Sequence, residues 1–131
     1  MDQRQVFSSG SPYEERVGYS RAVRVGSWVV VSGTTAMSSG GPVGGQDAAA
    51  QAREILIRIG AVLERAGAGL GDVVRTRVFL TSISDFDAVG RVHREVFGDI
   101  RPATSFIEVK ALADRALLVE IEADAIITAT L

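Results

Sequence analysis

Cysteine is absent from the 131 residues, which excludes disulfides, thiolate metal sites and a cysteine nucleophile. Histidine occurs once, at His93, with no second ligand at metal spacing, so no metal site is expected. Neither sign of charge dominates. The 14 basic and 16 acidic residues leave a formal net charge of −2, which offers no attraction to phosphate backbones or anionic lipid. Nucleic acid and membranes are therefore not expected as partners. No apolar run approaches the ~20 residues that a bilayer span needs, and the polar stretch from Met1 to Ser11 has no apolar core leading to a cleavage site. A cytoplasmic location is the resulting expectation. What is present is 47% apolar content against 23% charged residues, enough for the core of one domain.

The chain is read as a single domain over 1–131, with an N-terminal arm at 1–18 and a core at 19–127. Ala22–Val25 and Trp28–Ser32 are rich in β-branched residues and flank Gly26-Ser27, a hairpin pattern. Gly33 to Gly45 is a loop of Gly, Ser, Thr and Pro. It lacks the Lys-Ser/Thr ending of a phosphate cradle. Asp47 opens a long helix, in which Ala48, Ala52, Ile55, Ile59, Val62, Leu63 and Ala66 recur at helical spacing until Gly67. Over Asp72–Thr81 a strand is predicted, Val74, Thr76, Val78 and Leu80 on one face and Val73, Arg75, Arg77 and Phe79 on the other. Ser84 with Asp87 resembles a capping box for a second helix running to Gly98. Arg101-Pro102 predicts an extended entry to strands Ala103–Val109 and Leu117–Ile127, around a turn at Ala111–Arg115. The order ββ-α-β-α-ββ describes a two-layer α+β domain with two helices on one face of a mixed sheet. The other face needs cover, which points to an oligomer.

Several blocks now resemble a known family: Gly18-Tyr19, Val29-Val30-Val31-Ser32-Gly33, Asp72–Phe79, Arg101-Pro102-Ala103-Thr104-Ser105 and Val119-Glu120-Ile121-Glu122-Ala123. In order and spacing they resemble the Rid (reactive-intermediate deaminase, YjgF-like) family from about Tyr19 to Ile127. The resemblance implies a chorismate-mutase-like α+β fold and a homotrimer with a central β-barrel and clefts between subunits. It also implies cofactor-independent hydrolysis of small enamines and imines to a keto compound and ammonia.

By that resemblance Glu120 is the water-activating acid/base, and strand alternation sets it on the same face as Glu122 and Asp124. An ordinary charged strand residue is the plainer alternative. Tyr19 would reach into a neighbouring cleft, and Ser32 would offer a pocket hydroxyl, although packing and turn chemistry also account for them. Thr104 stands where the deaminase branch has its carboxylate-binding arginine. One neutral hydroxyl contact in place of two charge-assisted ones weakens carboxylate binding by roughly 2–4 kcal/mol. Gly90 stands in place of a pocket asparagine and Phe106 in place of a cysteine, so the cleft is more apolar and the usual 2-aminoacrylate-type substrate is not expected. Arg77, Arg75 and Arg101 are the nearest replacement cations by sequence, with ion pairing or a snorkelling surface role as the plainer reading of each. His93 lies on the apolar stripe of the second helix and reads as a packed residue, not a general base. Before Tyr19, the segment Ser9–Arg16 reads as a solvated arm whose Glu14, Glu15 and Arg16 would reach the cleft only if it folds over. A small-molecule binding trimer without turnover is the alternative function, and an RNA-directed activity is disfavoured by the acidic balance.

Overall fold

In a computed structural model, which describes residues 3–128, the hairpin forms where its sequence pattern lies. The first two residues of the expected arm lie outside the described residues. Strand β2 (Ala22–Val25) pairs antiparallel with β3 (Trp28–Thr34), and Gly26 takes a φ of 60°, the left-handed conformation that a two-residue hairpin turn demands. β3 runs past the expected end at Ser32. Its pairing shifts register after Val31 opposite Ala123 and resumes at Thr34 opposite Ile121, so Ser32 and Gly33 form a β-bulge.

Helix α2 (Ala48–Arg65) is capped by Asp47, whose side chain accepts from the Ala50 amide at 3.2 Å. It buries Ala52, Ile55, Leu56, Ile59, Val62 and Leu63, and side chains of Val to Ile size contribute roughly 1.5–3 kcal/mol each on burial. Helix α3 (Phe86–Phe97) starts later than the capping-box pattern suggested. Ser82 caps a single 3-10 turn at Ile83–Asp85, and Ser84 is turned to the Ser82 hydroxyl.

Strand β4 (Val73–Leu80) carries a second bulge. Pairing with β6 (Val119–Ile126) shifts between Val73 and Arg75, which reverses the expected facing of the first two residues: Val73 is buried at 3% exposure and Val74 is 43% exposed. β5 (Ala103–Glu108) runs parallel to β4 at the sheet edge. It does not neighbour β6, because β4 lies between them. Arg101 enters β5 with a φ of 56° instead of the extended backbone expected, and its amide donates to the Phe97 carbonyl at 2.8 Å.

The arm is folded. β1 (Arg4–Phe7) pairs antiparallel with β2, and α1 (Pro12–Val17) follows, entered after Gly10 at φ 81° and left at Gly18 at φ 89°. The order is therefore β-α-ββ-α-β-α-ββ, with the sheet ordered β1-β2-β3-β6-β4-β5. Val29, Val31, Val78, Leu80, Val119 and Ile121 join Ile55, Ile59, Leu63, Val89, Val92 and Phe97 in one core between the sheet and the two long helices. The opposite sheet face is open. It exposes Val6, Val25, Trp28, Val30 and Ile107, with Trp28 at 56%. Among the described residues no helix is long and apolar enough to cross a membrane, and no group of three or more His, Asp or Glu is placed to hold a metal.

Candidate functional site

Glu120 alternates with the core residues Val119 and Ile121 on β6, so its side chain stands on the open face, opposite Phe79 of β4. The approach to β6 is fixed by Gln51, fully buried on α2. Its amide donates to the carbonyls of Gly45 at 2.7 Å and Ala116 at 3.0 Å, and its oxygen accepts from the Leu118 amide at 2.9 Å. The β3 bulge brings Gly33 directly under the Glu120 carboxylate, where any Cβ would collide with Oε2. Burial raises the Glu120 pKa above the usual carboxylate value. The neighbouring Glu122 charge raises it further, and Arg21 opposes both.

Around Glu120 lies an open cleft of about 1060 Å³, bounded by the N-terminal segment, the end of β3, α2 and the loop before β6. Tyr19 and Arg21 line it with Glu120 and Gly33. The Arg21 guanidinium donates through Nη1 to the Gly33 carbonyl at 2.6 Å and to Thr34 Oγ1 at 3.1 Å, and through Nη2 to the Tyr19 phenol at 3.3 Å. Behind it, Glu14 of α1 is buried, with Oε2 4.0 Å from Arg21 Nε. Burial alone would raise the Glu14 pKa, but hydrogen bonds from Ser9 and Ser8 and the charge of Arg21 bring it below the usual value. The arrangement can hold one protonatable carboxyl group, partly desolvated, in a cleft that a phenol also lines.

Of the remaining expected residues, Thr104, Phe106 and Gly90 gather elsewhere, at the β5 edge, and neither they nor Ser32 and Arg77 line the cleft. Thr104 pairs with the buried Thr76, their hydroxyls 2.8 Å apart, and Thr104 also donates to the Pro102 carbonyl at 3.1 Å. His93 Nε2 lies 2.8 Å from Thr76 Oγ1. One donor order satisfies every contact: His93 to Thr76, Thr76 to Thr104, Thr104 to Pro102. Burial lowers the His93 pKa. The Phe106 ring packs against Phe86 at 4.7 Å and His93 at 6.0 Å, and beside them Gly90 leaves open space where a Cβ would project. Arg77 is in neither group. It lies on the open face, 3.0 Å from Glu122 and 3.8 Å from Asp124. Ser32 turns its hydroxyl to the Ser20 carbonyl at 2.6 Å.

Arg21 was missed in reading along the chain, Glu14 was set in a solvated arm that would reach the cleft only by folding over, and Gln51 was missed as well. Two signals could have found the first two. Arg21 follows Tyr19 by two residues just before a strand, a spacing that shares one side. Ser11-Pro12-Tyr13-Glu14 has the form of a helix start, with Ser at the cap, Pro at the first position and Glu at the third. Gln51 carries no comparable signal, being one polar residue in a helix.

A mixed sheet with two long helices on one face, and a half-buried carboxylate at the mouth of an open cleft, defines a small α+β protein with an acidic site. The endoribonuclease L-PSP family profile matches residues 11–127. A crystal structure of a member of the YjgF/YER057c/UK114 family from Mycobacterium tuberculosis superposes with a TM-score of 0.88 at 54% identity, covering 95% of this chain and 100% of that one. The 2-iminobutanoate/2-iminopropanoate deaminase of Homo sapiens is 37% identical over 125 residues, 94% of this chain and 90% of its own length. The enzyme of the same name from Salmonella typhimurium is 34% identical over 111 residues, covering 82% and 86%. This chain belongs to the Rid, or YjgF, family and has that family's chorismate-mutase-like α+β fold.

Proposed function

We propose that this protein is a Rid-type hydrolase of small enamines, imines or related carbonyl-derived compounds, with Glu120 as acid and base. The observation that carries this reading is the half-buried Glu120 carboxyl, seated over Gly33 with its proton affinity raised by burial. In its protonated form Glu120 delivers a proton to the carbon of an enamine and leaves an iminium ion. The resulting carboxylate takes a proton from water as the water oxygen attacks the iminium carbon. Collapse of the carbinolamine breaks the C–N bond, releasing ammonia and the carbonyl product. A positioned acid/base of this kind contributes roughly 10²–10⁴-fold. The deaminase names of the human and Salmonella relatives support the reaction class.

The exposed apolar residues of the open sheet face support assembly as a homotrimer. In it, the β5 edge of one subunit, with Thr104, Phe106 and Gly90, closes the Glu120 cleft of the next. The substrate differs from the usual short imino acids, because Thr104 offers one hydroxyl, already engaged with Thr76 and Pro102, instead of a guanidinium. That engagement also favours the second reading, a trimer that binds small carbonyl compounds without turnover. An RNA-directed activity is disfavoured by the net charge of −2. The deciding experiment generates imines in situ with an amino-acid oxidase and traps survivors with semicarbazide. Loss of trapped signal with wild type but not with Glu120→Gln supports the hydrolase. Equal turnover by both removes Glu120 from its role, and thermal-shift binding without turnover supports the second reading.

A further inference from the structure

The β3 bulge leaves the Ser32 and Gly33 carbonyls out of register with β6, and Arg21 reaches both, sharing Ser32 with the Thr34 hydroxyl, which donates to it at 2.8 Å. Arg21 Nη1 reaches Gly33 at 2.6 Å and Ser32 at 3.4 Å, with Thr34 Oγ1 as a further acceptor at 3.1 Å. Two further hydrogen bonds lock the same residues together. The Ser32 amide donates to the Arg21 carbonyl at 2.9 Å, and the Ser32 hydroxyl to the Ser20 carbonyl at 2.6 Å. The segment carrying Tyr19 and the bulge under Glu120 are thus one rigid unit. With two hydrogens and three acceptors, Nη1 has no capacity left for a ligand.

The charge at the centre of this unit is nearly enclosed, the Arg21 side chain being 13% exposed and that of Glu14 8%. An enclosed guanidinium needs a compensating anion, and an enclosed carboxylate a cation. Glu14 is held in place from its own side by the Ser9 amide at 3.1 Å and the Ser9 hydroxyl. It stands against Arg21 from the side away from the bulge. The folded α1 therefore belongs to the cleft.

We propose that Arg21, backed by Glu14 of α1, is a positioning residue of the cleft, which clamps Tyr19 and the β3 bulge around Glu120 and sets the charge against which Glu120 exchanges its proton. This rests on the reading of Glu120 as proton carrier, but its test does not require turnover. The Glu120 carboxyl carbon is followed by NMR titration in wild type, Arg21→Gln, Arg21→Lys and Glu14→Gln, its signal assigned by its loss in Glu120→Gln. Removing the cation in Arg21→Gln moves the Glu120 midpoint up, and Arg21→Lys leaves it at the wild-type position. Removing the anion in Glu14→Gln, whose amide still accepts from Ser9, moves it down. A merely structural role moves neither midpoint, or moves both the same way, and either result overturns the proposal. If Arg21→Gln does not fold, Glu14→Gln decides alone: a downward shift sustains the proposal and an unmoved midpoint overturns it. Full imine turnover by Glu120→Gln would instead remove the hydrolase reading while the titration result stands.

Discussion

The Glu120 cleft and the β5 edge are built on one sheet with opposite priorities. In the cleft, a carboxylate is held partly desolvated beside a second one, Glu122, and above a glycine whose Cβ would displace it. At the β5 edge, hydroxyls and an imidazole complete a chain of hydrogen bonds, and aromatic rings cover it. The first arrangement stores unfavourable electrostatics in the folded state, and the second relieves them. Functional sites keep such local conflicts where the surrounding structure tolerates them. Substitution of Glu120 should therefore lower activity and spare or raise stability, whereas substitutions among the buried groups behind β5 should lower stability.

The sharpest break of this contrast is Glu120→Gln. Imine turnover is expected to fall by roughly 10²–10⁴-fold in the trapping assay. Because the folded pKa is raised, the folded state holds a proton that the unfolded state releases as pH rises through the interval above the usual carboxylate value. Wild-type stability falls across that interval. The variant lacks this loss, so its melting temperature at pH 7 should equal or exceed that of wild type, and its advantage should vanish below about pH 4.

Thr104→Arg tests whether the regions meet across a subunit boundary. If the β5 edge closes a neighbouring cleft, a guanidinium there restores a bidentate carboxylate contact. KM for a short imino acid should then drop about thirtyfold, an effect near 2 kcal/mol. An unchanged KM separates the two regions. Gly33→Ala comes next. Its Cβ pushes on the end of a flexible side chain, so the fold survives while Glu120 swings aside, and turnover should fall about tenfold, near 1.4 kcal/mol of misplacement.

Thr76→Val probes the satisfied region. It removes a fully buried hydroxyl that joins His93 to Thr104, and chemical denaturation should show a loss of about 1 kcal/mol. The smallest effect concerns pH. His93 has its pKa lowered by burial, so on acidification the unfolded state takes up the proton first, and stability falls as pH drops below the ordinary imidazole value near 6.5. His93→Gln should flatten the stability profile between about pH 6.5 and 5.

Much of the fold was legible in the residue order. The repeat of Ala52, Ile55, Ile59, Val62 and Leu63 marks one face of α2, and Asp47 and Gly67 mark its ends within a residue. Gly26-Ser27 marks the hairpin, and alternation along β6 puts Glu120, Glu122 and Asp124 on one face. What misled was alternation carried through a bulge. Val73 and Val74 exchange faces because β4 gains a residue opposite β6, and the register of a partner strand is not written in either strand alone. The arm was misread for a related reason: Ser11 and Glu14 signal a helix, but a helix of six residues forms only against a partner, here Arg21, which faces Glu14.

Local chemistry by itself determined the layer architecture, the face on which Glu120 stands and the absence of thiol chemistry, since periodicity, caps and composition act within a few residues. Only the tertiary structure decided that Arg21 joins Glu14 to the bulge at Gly33, that Gly33 floors the carboxylate, and that Thr104 turns to Thr76 instead of the cleft. These outcomes join residues from different elements through two bulges, and a one-residue change of strand register reverses every side chain beyond it.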